Sequence, residues 1–173
     1  MESCAATMCL AGATMKISDL LSPTDVWFDV RIAGKPPLLQ ELAARAATGL
    51  GLDVDRIAPV LLKREELGST GIGRGVAIPH ARLPELQRPF GLLAKLKQGI
   101  EFDAIDAQAV DIVFVLLLPA AAENEALAAL ALVARTLRSP ESLARLRGAK
   151  SASELYAAIG RELAVIIAVR RAD

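Results

Sequence analysis

The chain of 173 residues is 53% hydrophobic and 23% charged, and its 20 basic and 20 acidic residues give a formal net charge of zero. This length fits one domain with a substantial core, and the apolar content excludes a disordered protein. The absence of net positive charge argues against a protein that binds nucleic acid or anionic lipid surfaces.

The first fourteen residues carry Glu2 and no Lys or Arg, whereas a secretory signal peptide begins with positive charge. We interpret residues 1–14 as a disordered or artefactual extension and residues 15–173 as the domain. Cys4 and Cys9 lie in that extension, without a histidine or a third cysteine to complete a zinc site. We therefore expect a cytoplasmic protein that uses no metal and no other cofactor.

Residues 15–67 are predicted to form a short N-terminal element, one strand and two helices. The strand is indicated by alternating apolar residues at Val26, Phe28, Val30 and Ile32. The first helix has apolar residues at helical spacing and Gly49 as its expected C-cap. The second helix has Asp53 as its expected N-cap and ends near Leu67. Its apolar face is expected to comprise Val54, Ile57, Val60 and Leu61.

The stretch 64–83 reads REELGSTGIGRGVAIPHARL and contains four glycines and His80, the only histidine of the chain. Glycine permits positive φ and a close approach of the backbone to a ligand, so this loop is suited to present N–H groups to an anion. Ser69 and Thr70 add hydroxyl donors to it. Pro79 then ends a short apolar strand and fixes the direction in which the imidazole leaves it.

The residue types in this stretch suit phosphoryl transfer. The ordinary pKa of histidine is about 6.5, so a large share is neutral at neutral pH and one ring nitrogen can attack phosphorus. Arg64 and Arg82 flank His80 in sequence, and a guanidinium offers forked donors to phosphoryl oxygens. The alternative is a structural histidine beside an ordinary glycine-rich loop. No Walker A, G-x-G-x-x-G or G-x-S-x-G motif is present.

Two further strands and a polar connection follow. Residues 90–97 are predicted to form a half-exposed strand, with Lys95 and Lys97 facing water. Residues 99–109 are interpreted as a solvated connection, and their acidic residues as neither a metal site nor a glycosidic one. Residues 110–118 are apolar apart from Asp111 and predict a central buried strand. They are far short of the ~20 residues that cross a bilayer, so no membrane insertion is expected.

The last third of the chain is predicted to be helical. The helix 123–137 is expected to pack through Leu127, Leu130, Val133 and Leu137. Ser139 with Pro140 begins the next helix, and Ser151 begins a last helix that runs through Leu163. Helices interleaved with a few strands indicate an α/β fold: a three-layer single domain with helices on both faces of a mixed β-sheet.

The stretch around His80 resembles the active-site segment of the fructose/mannitol type of enzyme IIA domain in the bacterial phosphoenolpyruvate-dependent phosphotransferase system, especially the nitrogen-regulatory branch. The matching residues are Arg64-Glu65, Gly68-Ser69-Thr70-Gly71-Ile72-Gly73 and Gly75-Val76-Ala77-Ile78-Pro79-His80. The likeness continues through 102–106, 110–118 and 132–135, so that it covers most of residues 15–163. Members of the family commonly carry a second histidine, and Ala126 stands at approximately that position here.

By this resemblance, His80 is the phosphorylated residue and Arg64 is the active-site arginine. Phosphate binding is expected from Ser69, Thr70, Gly71, Gly73 and Arg82. The expected function is a phosphoryl carrier that is phosphorylated by the histidine-containing phosphocarrier protein and acts mainly on regulatory target proteins. Two alternatives stay open: a sugar-specific enzyme IIA that passes phosphate to enzyme IIB, and a non-catalytic anion-binding interaction module, which the alanine at position 126 favours.

Overall fold

The structure, a computed structural model, describes residues 15–160. The helices are α1 Ile17–Leu20, α2 Lys35–Leu50, α3 Val54–Glu66, α4 Glu123–Arg138, α5 Pro140–Gly148 and α6 Ala152–Gly160. The strands are β1 Val26–Val30, β2 Gly71–Gly73, β3 Val76–Ala77, β4 His80–Leu83, β5 Phe90–Ile100 and β6 Val110–Pro119. A short 3-10 helix, Pro23–Asp25, precedes β1. The expectations for residues 1–14 and for a helix end at Leu163 fall outside the described residues.

The strands of the described chain form one mixed sheet in which β6 is central. On one side of β6 lies β5, which is antiparallel to it, and β1 adds to β5 in parallel. On the other side, β6 pairs in parallel with β3 and then with β4. The strand β2 lies antiparallel beside β3. The mixed sheet predicted from the sequence is confirmed.

The residues of β6 alternate between two apolar cores, one on each face of the sheet. The core under α2 and α3 takes Val113, Val115 and Leu117. The core under α1, α4, α5 and α6 takes Ile112, Phe114 and Leu116. A strand that is covered on both faces has to be apolar almost throughout, which explains its continuous run of hydrophobic residues. The three-layer arrangement is therefore also confirmed.

The short strands β3 and β4 occupy successive positions along the same edge of β6. Ala77 of β3 pairs with Val113, and His80 of β4 pairs with Leu116. Between the two strands, the backbone N–H of Leu116 donates to Pro79 O at 2.9 Å. The predicted end of the strand at Pro79 is correct, and the only histidine of the chain becomes the first residue of a new strand.

The alternation predicted for β1 is wrong beyond Phe28. Val26 belongs to the same core that Phe28 packs against, but Val30 belongs to the core on the opposite face. Asp29 between them has a φ of 57°, in the left-handed region. This conformation turns the strand and shifts its register against β5, so that the next apolar residue enters the other core.

The expected C-cap of α2 at Gly49 is also wrong. The helix continues to Leu50, and Gly51, with a φ of 66°, provides the left-handed cap. Gly49 has a different reason to be glycine, because a Cβ there would lie 3.0 Å from Asp25 Oδ1 and 3.2 Å from Cζ of Phe90. Close packing of the helix, and not its termination, therefore requires this glycine.

Three apolar residues that were expected to face the cores are exposed: Val54 and Val60 of α3, and Leu127 of α4. Instead, α4 buries the small side chains of Ala126 and Ala129 in its first two turns. In a helix rich in alanine and leucine, the apolar stripe is too broad to identify the buried face from the sequence.

The strand β5 is longer and more deeply buried than predicted. It continues to Ile100, and Leu93 is buried on the face opposite to Ala94. Lys97 is exposed as expected, whereas Lys95 is half-buried and its Nζ donates to the carbonyl oxygens of Arg147 and Ala149. The prediction that this lysine faces water is therefore wrong, because its ammonium group is bonded to the last turn of α5 and to the residue that follows the helix.

The predicted N-caps Asp53, Ser139 and Ser151 are confirmed, since the side-chain oxygen of each accepts a backbone N–H of its helix.

Among the helices within residues 15–160, none combines the length and the apolar character needed to cross a membrane.

Candidate active site

The structure brings Arg64 and His80, the two predicted catalytic residues, into contact. Arg64 lies in the last turn of α3, and His80 begins β4. The Nε of Arg64 donates a hydrogen bond to His80 Nε2 at 3.3 Å, and Nη1 of the same guanidinium donates to Gly68 O at 3.1 Å. A permanent cation is thus held beside one ring nitrogen of the histidine.

The second ring nitrogen of His80 fixes the tautomer of the imidazole. Its Nδ1 lies 2.9 Å from the carbonyl oxygen of Ile78, which can only accept a hydrogen bond. The proton therefore resides on Nδ1, and Nε2 keeps its lone pair, as its acceptor role toward Arg64 also requires. The neutral ring presents Nε2 as its nucleophilic nitrogen.

The surroundings lower the pKa of His80 below its ordinary value of 6.5. Burial is the largest cause, because it disfavours the charged imidazolium. The hydrogen bond to Ile78 O and the charge of Glu65 act in the opposite direction, while the charges of Arg64 and Arg82 lower the pKa further. The net shift keeps the ring neutral and nucleophilic at neutral pH.

The loop that follows α3 is held from inside the protein. The buried carboxylate of Glu65 accepts hydrogen bonds from Thr70 N at 3.0 Å and from Thr70 Oγ1 at 2.5 Å. Ser69 Oγ donates to Phe102 O at 2.7 Å and accepts from Gly71 N at 3.1 Å. The hydroxyl protons of Ser69 and Thr70, two of the five predicted phosphate-binding residues, are therefore used within the protein, where they stabilise the loop.

Gly71 and Gly73 are required by the close approach of two backbone segments. A Cβ on Gly71 would lie 2.8 Å from both the Cα and the Cβ of Ala104. Gly73 has a φ of 93°, a conformation that side chains rarely permit. These two glycines allow β2 to lie directly against the loop 101–109, which brings that loop next to the site.

Two acidic residues of the loop 101–109, Asp103 and Asp106, have partners in the protein. Asp103 is 3.2 Å from Nζ of Lys35. Asp106 accepts hydrogen bonds from Arg74 N at 2.7 Å and from Gln108 N at 3.1 Å, and these bonds lower the pKa of its carboxyl group. In the described part of the chain, no group of three or more His, Cys, Asp or Glu residues could hold a metal ion.

Arg82 lies two residues after His80 on β4, and alternate residues of a strand share a face. Its Nη2 is 3.8 Å from Glu123 Oε1, and the two side chains are 45% and 74% exposed, so the ion pair is weak.

Ala126, at the approximate position of the second family histidine, is buried in α4 and adds no titratable group to the site.

Two charged residues of the site, Lys35 and Glu65, were not assigned a role from the sequence. They form an ion pair of 2.7 Å between the first turn of α2 and the last turn of α3. Periodicity within one helix cannot identify a pair that forms between two helices. The sequence contains one signal for this pair, which is the position of Glu65 in the last turn of α3. An acidic residue is unfavourable beside the negative end of a helix dipole unless it has a specific partner.

Comparison with known proteins gives the same family as the resemblance noted in the sequence. The family model described as "Phosphoenolpyruvate-dependent sugar phosphotransferase system, EIIA 2" matches residues 19–162. The nitrogen regulatory protein of Bradyrhizobium diazoefficiens is 43% identical over 145 residues, which are 84% of this chain and 95% of that protein. The nitrogen regulatory protein of Escherichia coli is 40% identical over 144 residues, which are 83% of this chain and 88% of that protein.

A solved structure extends the similarity to the fold. The crystal structure of nitrogen regulatory protein IIA-Ntr from Neisseria meningitidis superimposes with a TM-score of 0.78 at 30% sequence identity. The match covers 83% of this chain and 98% of that chain. The mixed sheet with helices on both faces is therefore shared with that protein.

Proposed function

We propose that this chain, which belongs to the EIIA 2 family of the phosphoenolpyruvate-dependent sugar phosphotransferase system, is a regulatory phosphoryl carrier that is phosphorylated on His80. One observation carries the proposal. The imidazole of His80 is held as the Nδ1–H tautomer by Ile78 O, with Nε2 next to the guanidinium of Arg64. A nucleophile with a defined lone pair and a cation beside it is the arrangement that phosphoryl transfer needs.

In the proposed step, the lone pair of His80 Nε2 attacks the phosphorus of a phosphohistidine on the donor protein. A new P–N bond forms while the donor's P–N bond breaks, and the electron pair of that bond returns to the donor nitrogen. Nδ1 keeps its proton and its hydrogen bond to Ile78 O, which stabilises the positive charge that develops on the ring. The bonds made and broken are alike, so positioning and charge stabilisation carry the catalysis.

Arg64 has to release Nε2 before the attack. Its Nη1 is also bonded to Gly68 O, so the guanidinium can turn aside and stay within reach of the phosphoryl oxygens. Arg82 supplies a second cation, because its contact with the exposed Glu123 is too weak to hold it. Both arginines balance the charge of the transferred group.

The phosphate contacts expected of Ser69, Thr70, Gly71 and Gly73 stay predictions. In the resting protein, the Ser69 hydroxyl is bonded to Phe102 O and the Thr70 hydroxyl to Glu65. We assign these residues primarily to the shape of the loop, which leaves Arg64 and Arg82 as the main phosphate-binding groups.

The surface around His80 suits a protein donor, and we assign that role to the histidine-containing phosphocarrier protein. Within residues 15–160, the most exposed large apolar side chains are Ile105 at 87%, Leu67 at 80% and Leu127 at 56%. Leu67 directly precedes the loop, and Ile105 N donates to Gly71 O at 3.4 Å. Exposed apolar side chains beside a site that a protein has to reach support a docking surface.

The regulatory role rests on the relatives at about 40% identity, which are named nitrogen regulatory proteins and align over most of their length. Phosphorylation adds about two negative charges to a surface that includes Arg64 and Arg82, which is enough to change the affinity for a target protein. We propose that this protein and its targets are cytoplasmic.

The test is intact-mass measurement after incubation with phosphoenolpyruvate, the first enzyme of the phosphotransferase chain and the phosphocarrier protein. We expect an acid-labile gain of one phosphoryl group in the wild type and none in His80→Ala. No gain in a folded wild type would favour the non-catalytic anion-binding module. Rapid loss of the label to an enzyme IIB would favour a sugar-transport role instead of regulation.

A further inference from the structure

A buried ion pair lies beneath the acceptor loop. Lys35 Nζ is 2.7 Å from Glu65 Oε1, and the two side chains are only 16% and 5% exposed. Burying two charges is costly, and a pair of hydrophobic residues is often as stabilising as a buried ion pair. We therefore examine the contacts of these two residues for a role other than stabilising the fold.

The ammonium group of Lys35 has an acceptor for each of its three protons. Besides Glu65, these are Phe102 O at 3.1 Å and Asp103 Oδ2 at 3.2 Å. The first turn of α2 is thereby tied to the last turn of α3 and to the loop 101–109. Acceptors on two other segments of the chain fix the ammonium, so it holds the Glu65 carboxylate in one place.

The carboxylate of Glu65 in turn holds the peptide of Thr70. Its two oxygens lie 3.0 and 3.2 Å from Thr70 N, and Oε2 also accepts the Thr70 hydroxyl at 2.5 Å. A charged acceptor makes stronger hydrogen bonds than a neutral one. The position of Thr70 is thus set by Glu65 and, through it, by Lys35.

From Thr70 the contacts continue to the nucleophile. The carbonyl oxygen of Thr70 accepts a hydrogen bond from Ile78 N at 3.0 Å, and the carbonyl oxygen of Ile78 accepts from His80 Nδ1 at 2.9 Å. Ile78, whose carbonyl oxygen fixes the tautomer of His80, is therefore held through its N–H by Thr70. Thr70 is in turn held by Glu65.

We propose that Glu65, paired with Lys35, is a positioning residue for phosphoryl transfer, which orients the imidazole of His80 through Thr70 and Ile78. The inference rests on the proposed function for its effect on rate, but its effect on the histidine itself does not depend on phosphorylation. Glu65 and its neighbour Arg64 act on the same ring from two sides, one through the backbone and the other through its guanidinium.

The test compares Glu65→Gln with the wild type. Glutamine has nearly the same shape, so the substitution removes the charge and weakens the bonds to Thr70 without leaving a cavity. The matched control is Asp103→Asn, which removes the exposed acidic partner of the same lysine and leaves the contacts to Thr70 intact. The double variant Lys35→Met/Glu65→Gln leaves no unpaired buried charge, and it carries the same measurements if the single variant does not fold.

Two readouts separate a positioning role from a merely structural one. The first is the titration and the ring 15N shifts of His80, measured by NMR without any partner protein. Because the charge of Glu65 raises the pKa of His80, we expect Glu65→Gln to lower that pKa and to change the Nδ1 signal. The second is the rate of phosphorylation by the phosphocarrier protein, which we expect to fall about tenfold or more, since small misplacements cost large factors.

A folded Glu65→Gln variant with the wild-type His80 titration, 15N shifts and transfer rate would overturn the proposal, and so would an equal effect of Asp103→Asn. If the wild type accepts no phosphate at all, the proposed function fails, and the NMR comparison alone decides the positioning role. A loss of thermal stability with an unchanged histidine would assign Lys35 and Glu65 to structure only and would overturn the inference.

Discussion

Arg64 donates a hydrogen bond of 3.3 Å to Nε2 of His80, the ring nitrogen that we propose attacks phosphorus. In the proposed mechanism, the lone pair of the resting nucleophile is therefore occupied by the same cation that later binds the phosphoryl oxygens. The arginine is held close by its bond to Gly68 O, so one side chain can protect the nucleophile at rest and stabilise charge during transfer.

Arg64→Ala should slow phosphorylation by tenfold or more, because each factor of ten corresponds to about 1.4 kcal/mol of lost transition-state stabilisation. The rate is measured by quenched-flow labelling with the phosphorylated carrier protein. The matched control is Arg56→Ala on the same helix, whose exposed side chain lies 3.8 Å from Glu85 in a weak ion pair. Equal rates in the two variants would remove Arg64 from the proposed role.

Arg64→Ala should also raise the pKa of His80 toward 6.5, because the nearby positive charge disfavours the imidazolium. The measurement is an NMR titration of the single histidine in the two proteins. A lower pKa in the variant would mean that loss of the guanidinium buries the ring further, and would contradict the electrostatic account.

The rate of phosphorylation should be nearly constant well above pH 6.5, and the pH at which it falls to half should lie below 6.5. The reason is that burial, chiefly, holds the pKa of His80 below 6.5, so the neutral nucleophile persists to lower pH than in an ordinary histidine. Single-turnover rates above and below pH 6.5, with the donor's own titration subtracted, give the apparent pKa. A rate that halves above pH 6.5 would contradict the assignment.

The same shift predicts how His80 affects stability. The folded protein binds the proton less readily than the unfolded chain, so the contribution of His80 is constant above pH 6.5 and is lost as pH falls below that value. The free energy of unfolding of wild type minus that of His80→Asn, from urea titrations at several pH values, should therefore decrease on acidification. An increase would show that the native imidazolium is favoured.

Much of the site could be predicted because its signals are local in sequence. The end of the strand at Pro79, the position of Arg64 in the last helical turn and the N-cap at Asp53 each depend on neighbouring residues only. The Lys35–Glu65 pair could not be predicted, because its two members meet only when α2 packs on α3. Contacts between secondary-structure elements depend on how the elements pack against each other. The spacing of residues along the sequence carries no information about that packing.

The errors in the fold have a similar origin. The face of α4 could not be identified, because alanines surround Leu127 and leave no narrow apolar stripe. Asp29 adopts a left-handed conformation although it is not a glycine, so the sequence gives no sign of the turn in β1. The predicted alternation therefore continues beyond the residue at which it ends in the structure. The sequence predicts a helix cap at Gly49, because its packing against Phe90 cannot be derived from residue spacing.

Gly71→Ala should destabilise the protein by about 1–3 kcal/mol, because the new methyl group would overlap with Ala104 and force β2 away from the loop 101–109. A Cβ there would lie 2.8 Å from two carbon atoms of that residue. Gly148→Ala is the matched control, since it adds the same atoms in open space within α5 and should stabilise the helix by up to about 1 kcal/mol. Urea denaturation of both variants measures the difference, and similar stabilities would contradict the close approach.

Leu67→Ser should weaken docking of the phosphocarrier protein without affecting the chemistry. The side chain is 80% exposed, so the free energy of unfolding should change by no more than about 0.5 kcal/mol. We expect the KM for the phosphorylated carrier to rise on the order of tenfold with kcat unchanged, because a lost contact that is equal in ground and transition states affects binding only.

The control for this substitution is Val54→Ser at the opposite end of α3, about 15 Å from Arg64 at 1.5 Å per residue. It removes an apolar side chain from the same helix but far from the loop, so its KM should equal that of the wild type. An unchanged KM in Leu67→Ser would place the donor elsewhere on the surface, whereas a fall in kcat alone would mean that this residue shapes the loop and leaves docking to Ile105.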